Sequence, residues 1–391
     1  MISVNEALNN IFELVAQLEA EQVGLRDANG RILARSVIAK RDQPPFSASA
    51  MDGYAICSKD LDKGVIKWKV IGEAGAGHGF GGYVKSGQAT RIFTGAPMPE
   101  GTDQVIIQEN VKLKNLVITL SQTPNLEKYV RAAGSDFNSG FTLKAPRLLT
   151  PHDVALMAAM NSPTPWVTRK PKIVIIGTGD ELVQPGEQPN DDQIIASNTY
   201  GLAAMLKAAG ATPRLLPIAR DRLTSLEQVF SLIGTADAVI TVGGASVGDY
   251  DFVSQAASNF GMKHSFYKVA MRPGKPLMAG YLRGIPMIGL PGNPVSAMVC
   301  GEVFLIPLIQ KMLGLPAVPR LRKNGQIGHS LPQNGTREHY MRAKLINGSI
   351  FIEDPQDSSL LTVLANADAL AVRPKDDGPL KEGSNIEYIP L

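Results

Sequence analysis

Cysteine is nearly missing from these 391 residues: only Cys57 and Cys300 occur, far apart and outside any CxxC or Cys/His spacing. Their scarcity excludes a disulfide framework and points to a reducing compartment. Histidine is scarce too, with five in the chain and no ligand spacing among them, so no zinc site is suggested. His78, in the glycine-rich AGAGHGFGG stretch, reads as part of a flexible loop. Charge of one sign is lacking, since 39 basic residues stand against 36 acidic ones for a formal +3. That balance gives no broad positive field for nucleic acid. No uninterrupted apolar run of about 18 residues, the length of a membrane-spanning helix, is present, and the most apolar stretch, 285 to 307, is broken by Gly and Pro and carries Glu302. The N-terminus lacks a basic leader and reads as an amphipathic helix with Val4, Leu8, Ile11, Val15 and Leu18 on one face. These absences predict a soluble, cytoplasmic protein that binds neither nucleic acid nor membrane.

What is present is ample material for packed cores. A composition 44% hydrophobic and 19% charged is that of a globular chain. The length exceeds the roughly 250 to 300 residues at which single cores stop growing, so two to four domains are expected. Residues 1 to about 165 mix short helices with Gly-bounded β segments such as VIKWKVIGEAGAG and QATRIFTGAP. From 172 to 318, strands and helices alternate: KIVIIG, a helix over NTYGLAAMLKAAG capped near Ser197 or Asn198, PRLLPIA, a helix at TSLEQVFSLI, AVITVGG, a helix near DFVSQAASNF, a hairpin around 266 to 282, PMIGL, and a helix from 294. This order calls for a doubly wound, mostly parallel sheet. The prolines of NSPTPWVTRKP mark the linker into it. The tail from about 320 has short strands (EHYMRAKL, SIFIED, NIEYIPL) between Gly, Asn and Pro turns, as in a small β-barrel or sandwich.

In open parallel sheets, ligands sit beyond the carboxyl ends of the strands. Three such ends carry acids here: Asp180 and Glu181 in TGDEL, Asp221 after Arg220, and Asp249 and Asp251 in ASVGDYD. Any one of them serves equally well as a helix cap. Three converging at one edge can hold a hard divalent ion such as Mg²⁺, which takes a few carboxylates and completes its shell with water and phosphate oxygens. The loop GGASVG sets Gly243, Gly244 and Gly248 around Ser246, so that backbone amides can approach an anion. It matches neither GxGxxG nor the Walker pattern, which disfavours a standard dinucleotide or P-loop site. KVAMRPGKP sets Lys268, Arg272 and Lys275 about a Pro-Gly turn, either a seat for an oxyanion or a solvated basic turn. GLPGNPVSAMV ends a strand with Pro291, Gly292 and Asn293 and opens a helix with Pro294. It either presents free amides to the same edge or simply punctuates the chain.

Taken in order, TGDEL, SN, RD, GGASVGDYDF, KVAMRPGKP and GLPGNPVS resemble the pterin-binding domain of the MoeA family of molybdopterin molybdenumtransferases, to which the gephyrin E domain is homologous. SASAMDGYAI at 47 to 56, RIFTGAPMPEGTDQVIIQE at 91 to 109 and VRAAGSDFNSG at 130 to 140 look like the family's remaining motifs, so the resemblance spans essentially the whole chain. It implies an α/β multi-domain protein with an elongated N-terminal domain of mixed α/β structure (1–44 with 130–168). An inserted β-rich domain (45–129), a molybdopterin-binding α/β domain (169–319) and a C-terminal β-barrel domain (320–391) complete it. The implied activity is a transferase that inserts molybdenum from molybdate into adenylylated molybdopterin, releasing AMP with Mg²⁺. The resemblance further implies a homodimer with shared active sites, and a molybdopterin adenylyltransferase as pathway partner.

Carried over by motif, Asp52, Glu181, Asp221, Asp251, Lys268 and Lys275 are the expected catalytic residues, with Glu181, Asp221 and Asp251 on the metal. Substrate or anion binding is expected of Thr94, Arg131, Asp136, Thr178, Asp180, Asn198, Gly243, Gly244, Ser246, Arg272, Pro291, Asn293 and Pro294. Arg337, Arg342 and Ser358, in TREHYMR and PQDSSLL, are expected near molybdate. Asp52, Thr94, Arg131 and Asp136 would come from the partner subunit. From the residues alone, Asp52-Gly53 is an ordinary turn pair and Thr94-Gly95 an ordinary loop. Arg272 departs from the lysine frequent at its place in the family, which keeps the cation but changes its geometry. Two rivals are adenylylation of molybdopterin by this chain itself and a scaffold that binds without turnover.

Overall fold

The computed structural model describes residues 1–122, 127–243 and 252–391, with the backbone alone for 252–255. Ser3 caps the first helix, Val4–Glu13, in a reciprocal box with Glu6, and the helix buries Val4, Ala7, Leu8, Ile11 and Phe12. The apolar face read from the sequence is therefore a real one, but its partner is unexpected. These side chains belong to the core of the α/β domain, together with Leu14 and Val15. The backbone agrees, because Ile2 N donates to Lys268 O and Leu18 N to Met312 O. The first eighteen residues, expected within a 1–44 unit, pack against the α/β domain instead.

Beyond them, Ala20–Gln22, Trp166–Thr168, Ile32–Leu33 and Arg147–Leu148 form a small antiparallel sheet. It packs with the helix Pro151–Ala159, which Thr150 and Asp153 cap reciprocally. The β-rich insertion is a six-stranded sheet in the order Gln104–Ile107, Gly53–Ile56, Gln88–Ile92, Lys67–Ala74, Val117–Leu120, Val111–Lys114. Gly53 is no turn residue. It starts a central strand, where a Cβ would lie 2.1 Å from the Ile106 carbonyl oxygen, so only glycine allows the two strands to approach.

The α/β domain holds six strands in the order Thr212–Leu215, Lys172–Gly177, Ala238–Val242, Ile285–Leu290, Met278–Leu282, Met262–Tyr267. The first four run parallel, Met278–Leu282 runs against them, and Met262–Tyr267 pairs antiparallel with Met278–Leu282. Alternate residues of Lys172–Gly177 feed opposite cores. Ile173 and Ile175 pack with Leu202 and Val299 on one face, and Val174 and Ile176 with Leu226 and Phe230 on the other. The sheet is thus doubly wound and mostly parallel. A continuous helix from Pro294 to Met312, with a π turn over Gly301–Leu305, is long and apolar enough to cross a membrane; it is largely buried as the core helix of this domain.

In the C-terminal domain, Lys323–Ile327, Glu338–Ile346, Ser349–Ile352, Ala369–Arg373 and Asn385–Pro390 close into a five-stranded barrel through the pairing of Glu338–Ile346 with Ala369–Arg373. The barrel does not stand apart. Met271–Arg272, from the cationic turn of the α/β domain, pairs in parallel with Glu338–His339 as an added edge strand, and Tyr340, Leu370, Val372 and Ile389 join the α/β core.

Candidate functional site

Acidic side chains gather at the carboxyl end of the parallel strands. Thr178 N donates to Val242 O at 2.9 Å, which locks two neighbouring strand ends together. Gly243, at φ +100°, lies so close to this bridge that a Cβ would sit 2.4 Å from the Thr178 carbonyl oxygen. Asp221 N donates to Asp180 Oδ1 at 3.2 Å. Arg220, adjacent to it, does more than sequence reasoning assigned. Its Nη1 donates to the carbonyls of Asp180 at 2.8 Å, Leu182 at 3.0 Å and Gly179 at 3.4 Å, holding the TGDEL loop beside Asp221. Burial raises the Asp221 carboxyl above its ordinary range, and the charges of Asp180 and Glu181 push it further. Repulsion between carboxylates is relieved when a cation lies nearby.

Beside these groups opens a cavity of about 630 Å³, whose lining includes neither Asp180 nor Arg220. Thr178, Glu181, Asn198, Asp221, Gly243, Pro291, Asn293 and Pro294, all expected from the sequence, line it. Asn198 Nδ2 donates to Gly292 O at 2.6 Å. Asn293 precedes Pro294 at the start of the long helix. Leu182, Ile194, Ile195 and Pro276 also line the cavity and were not anticipated. The one signal was an apolar Ile-Ile pair inside the otherwise polar segment GEQPNDDQIIASN.

A second cavity, about 610 Å³, adjoins the first through Pro276 and Asn293, which line both. Arg272, Lys275, Arg337 and Ser358 line it, with Asp354, Gln356 and Asp357. The barrel supplies half of this lining because its strand Glu338–Ile346 continues the ladder from Met271–Arg272. Arg337 Nη1 donates to Met271 O at 3.4 Å and Asn293 Nδ2 to Ser358 Oγ at 3.1 Å. Arg342 is completely buried. Its backbone is clasped by the Gln356 amide and its Nη2 donates to Asp357 O at 2.8 Å, while Nε and Nη1 have no hydrogen-bond partner. Burial holds this guanidinium below its ordinary range, Asp357 opposing and Arg272 adding to the effect. His339 lies in register between Arg272 and Arg373. Burial and then the charges of Arg272, Arg342, Arg337 and Arg373 depress its imidazole to about 4.

Other expected residues lie elsewhere. Asp52 accepts from both the amide and the hydroxyl of Thr94 at 2.8 Å, and these two bonds keep its carboxyl below the ordinary range. Arg131 pairs with Ala48 of the SASAMDGYA segment, and Asp136 N donates to Gln43 O. None of these four lines either cavity. Lys268 is also absent from both linings; its ammonium lies 5.1 Å from the Tyr267 ring centroid. Gly244, Ser246, Asp249 and Asp251 lie outside the described residues. Among the described residues, no group of three His, Cys, Asp or Glu is close enough to cage a metal ion by itself.

Residues 2–161 match the family model described as MoeA N-terminal region (domain I and II), 174–311 the Probable molybdopterin binding domain, and 324–391 the MoeA C-terminal region (domain IV). The chain is 36% identical to the molybdopterin molybdenumtransferase of Nostoc sp., over 100% of this chain and 94% of that protein. It is likewise 36% identical to the molybdopterin molybdenumtransferase of Haemophilus influenzae, over 80% of this chain and 78% of the relative. A crystal structure of a molybdopterin biosynthesis MoeA protein from Pyrococcus horikoshii superposes with a TM-score of 0.86 at 27% identity, covering 100% of this chain and 99% of that one.

Proposed function

We propose, from the premise that this chain belongs to the MoeA family of molybdopterin molybdenumtransferases, that its adjoining cavities hold the two substrates of one reaction: adenylylated molybdopterin in the acid-lined cavity and molybdate in the cationic one. The chain is a transferase that inserts molybdenum into molybdopterin. The observation that carries the finer reading is the shared wall of Pro276 and Asn293. It supports a seat for a tetrahedral dianion beside a seat for a phosphate ester. Lys275, Arg272 and Arg337 attract molybdate, and the guanidiniums match its oxygens in pairs. Buried Arg342 adds positive potential from below.

Glu181 and Asp221 would hold Mg²⁺, which commonly takes one or two carboxylates and fills its shell with water and phosphate oxygens. Glu181 and Asp221 line one cavity, and burial, with the charges of Asp180 and Glu181 added to it, raises the Asp221 carboxyl, which supports that fit. When bound, the ion supplies Lewis-acid polarisation of the phosphoanhydride whose cleavage releases AMP. The protein's own share is positional: Arg220 fixes the acidic loop, and Asn198 and Asn293 fix the strand-to-helix corner. Asp52, Thr94, Arg131 and Asp136 would complete the site from a second subunit of a homodimer, a reading supported by their absence from the cavities of their own chain and by exposed Phe46 and Met51 beside them. A molybdopterin adenylyltransferase would supply the substrate. Asp221→Asn is expected to keep the circular-dichroism spectrum and melting temperature while lowering AMP release at least about a hundredfold, since transition-state charge stabilisation of this kind is worth about 3 kcal/mol or more. Normal turnover by this variant would refute the assignment.

A further inference from the structure

Ile194 and Ile195 are 58% and 40% exposed, a large exposure for aliphatic side chains beside acidic residues. They do not lie on an arbitrary surface. Both line the same cavity as Glu181 and Asp221. Their segment pairs in parallel with Leu182–Val183, so the two-stranded ribbon grows directly out of the TGDEL loop. Ile194 N donates to Glu181 O at 2.7 Å and Ala196 N to Val183 O at 2.9 Å. Tyr200, in the following helix, donates from its hydroxyl to Gln184 Oε1 at 3.0 Å, tying the far end of the ribbon back to the domain. An apolar surface is thus fixed by backbone bonds beside Glu181.

The rest of the wall is also apolar where it meets this ribbon's cavity: Leu182, Val242, Pro276, Pro291 and Pro294. Ligand sites of this size bind through apolar walls with a few placed polar groups. Aliphatic side chains and proline rings are flat or flexible enough to cover both faces of a ring and offer it no competing hydrogen bonds. The acids cannot serve that purpose, because a carboxylate brings hydrogen-bond acceptors to the ring face rather than apolar contact.

We propose that Ile194 and Ile195 form the platform on which a planar heteroaromatic ring of the substrate lies, so that the ribbon selects for ring-bearing phosphates and sets the distance from ring to metal-binding carboxylates. The inference rests on the reading of this cavity as the seat of adenylylated molybdopterin. That substrate carries two such rings, adenine and pterin, and the chemistry of the platform suits either. The anion-binding residues alone would accept a phosphate ester of any kind, so selectivity for the ring must come from this wall.

The test compares three probes on the full-length protein by calorimetry in the presence of Mg²⁺: AMP, a pterin carrying a phosphorylated side chain at C6, and ribose 5-phosphate. The wild type should bind one or both ring-bearing probes more tightly than ribose 5-phosphate. Ile194→Ser and Ile195→Ser should each weaken the ring-bearing probe about tenfold and together about a hundredfold, as expected when methylene contacts are removed from an apolar pocket, with ribose 5-phosphate unchanged. Ile194→Leu and Ile195→Leu should retain most of the affinity. Loss confined to AMP assigns the platform to adenine, and loss confined to the pterin phosphate assigns it to pterin. If both serine variants bind every probe as the wild type does, the platform is refuted while the reading of the cavity stands. If the wild type binds none of the three, the reading falls and the platform with it.

Discussion

The acid-lined and cationic cavities share two residues and are of nearly equal size, yet they are assembled in opposite ways. The first comes almost wholly from one domain, by loops that each follow a strand of a parallel sheet. The second exists only because Met271–Arg272 pairs with Glu338–His339, bringing Arg337, Asp357 and Ser358 of the barrel against Arg272 and Lys275. A single-domain site follows from the sheet rule that ligands gather at strand ends; an inter-domain site depends on a ladder of two residues that no local pattern encodes.

Substitutions can break this division, beginning with the largest effect. Lys275→Ala combined with Arg337→Ala should raise the molybdate concentration for half-maximal turnover about a hundredfold or more, because each hydrogen bond to a charged group contributes about 1.5–3 kcal/mol. AMP affinity, followed by calorimetry, should stay within about twofold in that variant, because neither side chain lines the acid-lined cavity. Equal losses of both would show that the cavities act as one.

Gly243→Ala strikes the other cavity. Its φ of +100° and the 2.4 Å approach to the Thr178 oxygen imply strain of about 1–3 kcal/mol. A lower melting temperature and weaker AMP binding are expected, with the molybdate requirement unchanged. Arg220→Ala should be milder, shifting the Mg²⁺ midpoint about tenfold upward as the TGDEL loop loses three hydrogen bonds of about 0.5–1.5 kcal/mol each. Arg220→Lys should restore only part of that, since an ammonium cannot reproduce the planar fork.

A separate effect, on stability and not on either ligand, concerns pH. His339 falls from an ordinary 6.5 to about 4 in the folded protein, so the unfolded chain takes up a proton first as pH drops. The stability it contributes is fully present above 6.5 and is lost between 6.5 and 4. Melting temperatures measured across that window should fall less steeply for His339→Gln than for the wild type.

The same contrast explains what was legible in the sequence. The order of strands and helices from 172 to 312, with the acids and glycines at their ends, follows from hydrophobic period and turn chemistry, both local properties. The position of the first helix does not, because amphipathicity shows that a face is buried but not against what. Val4 and Ile11 could satisfy their need in either domain. Arg337 and Arg342 were recognisable by motif alone, as nothing in TREHYMR indicates that one lines a cavity while the other is wholly buried beneath it. Gly53 looked like a turn because Asp-Gly favours turns; only the neighbouring strand reveals the close backbone approach that demands it. Arg220 was visible as a charge, and its three carbonyl partners were not.

The edge strand Met271–Arg272 has a consequence for how substrate enters. Because it is hydrogen-bonded into the barrel's sheet and flanked by a continuous core, the barrel cannot swing away as a lid without tearing backbone bonds and wetting Tyr340 and Leu370. A route into the paired cavities that leaves these bonds intact approaches the strand ends from outside the two joined domains.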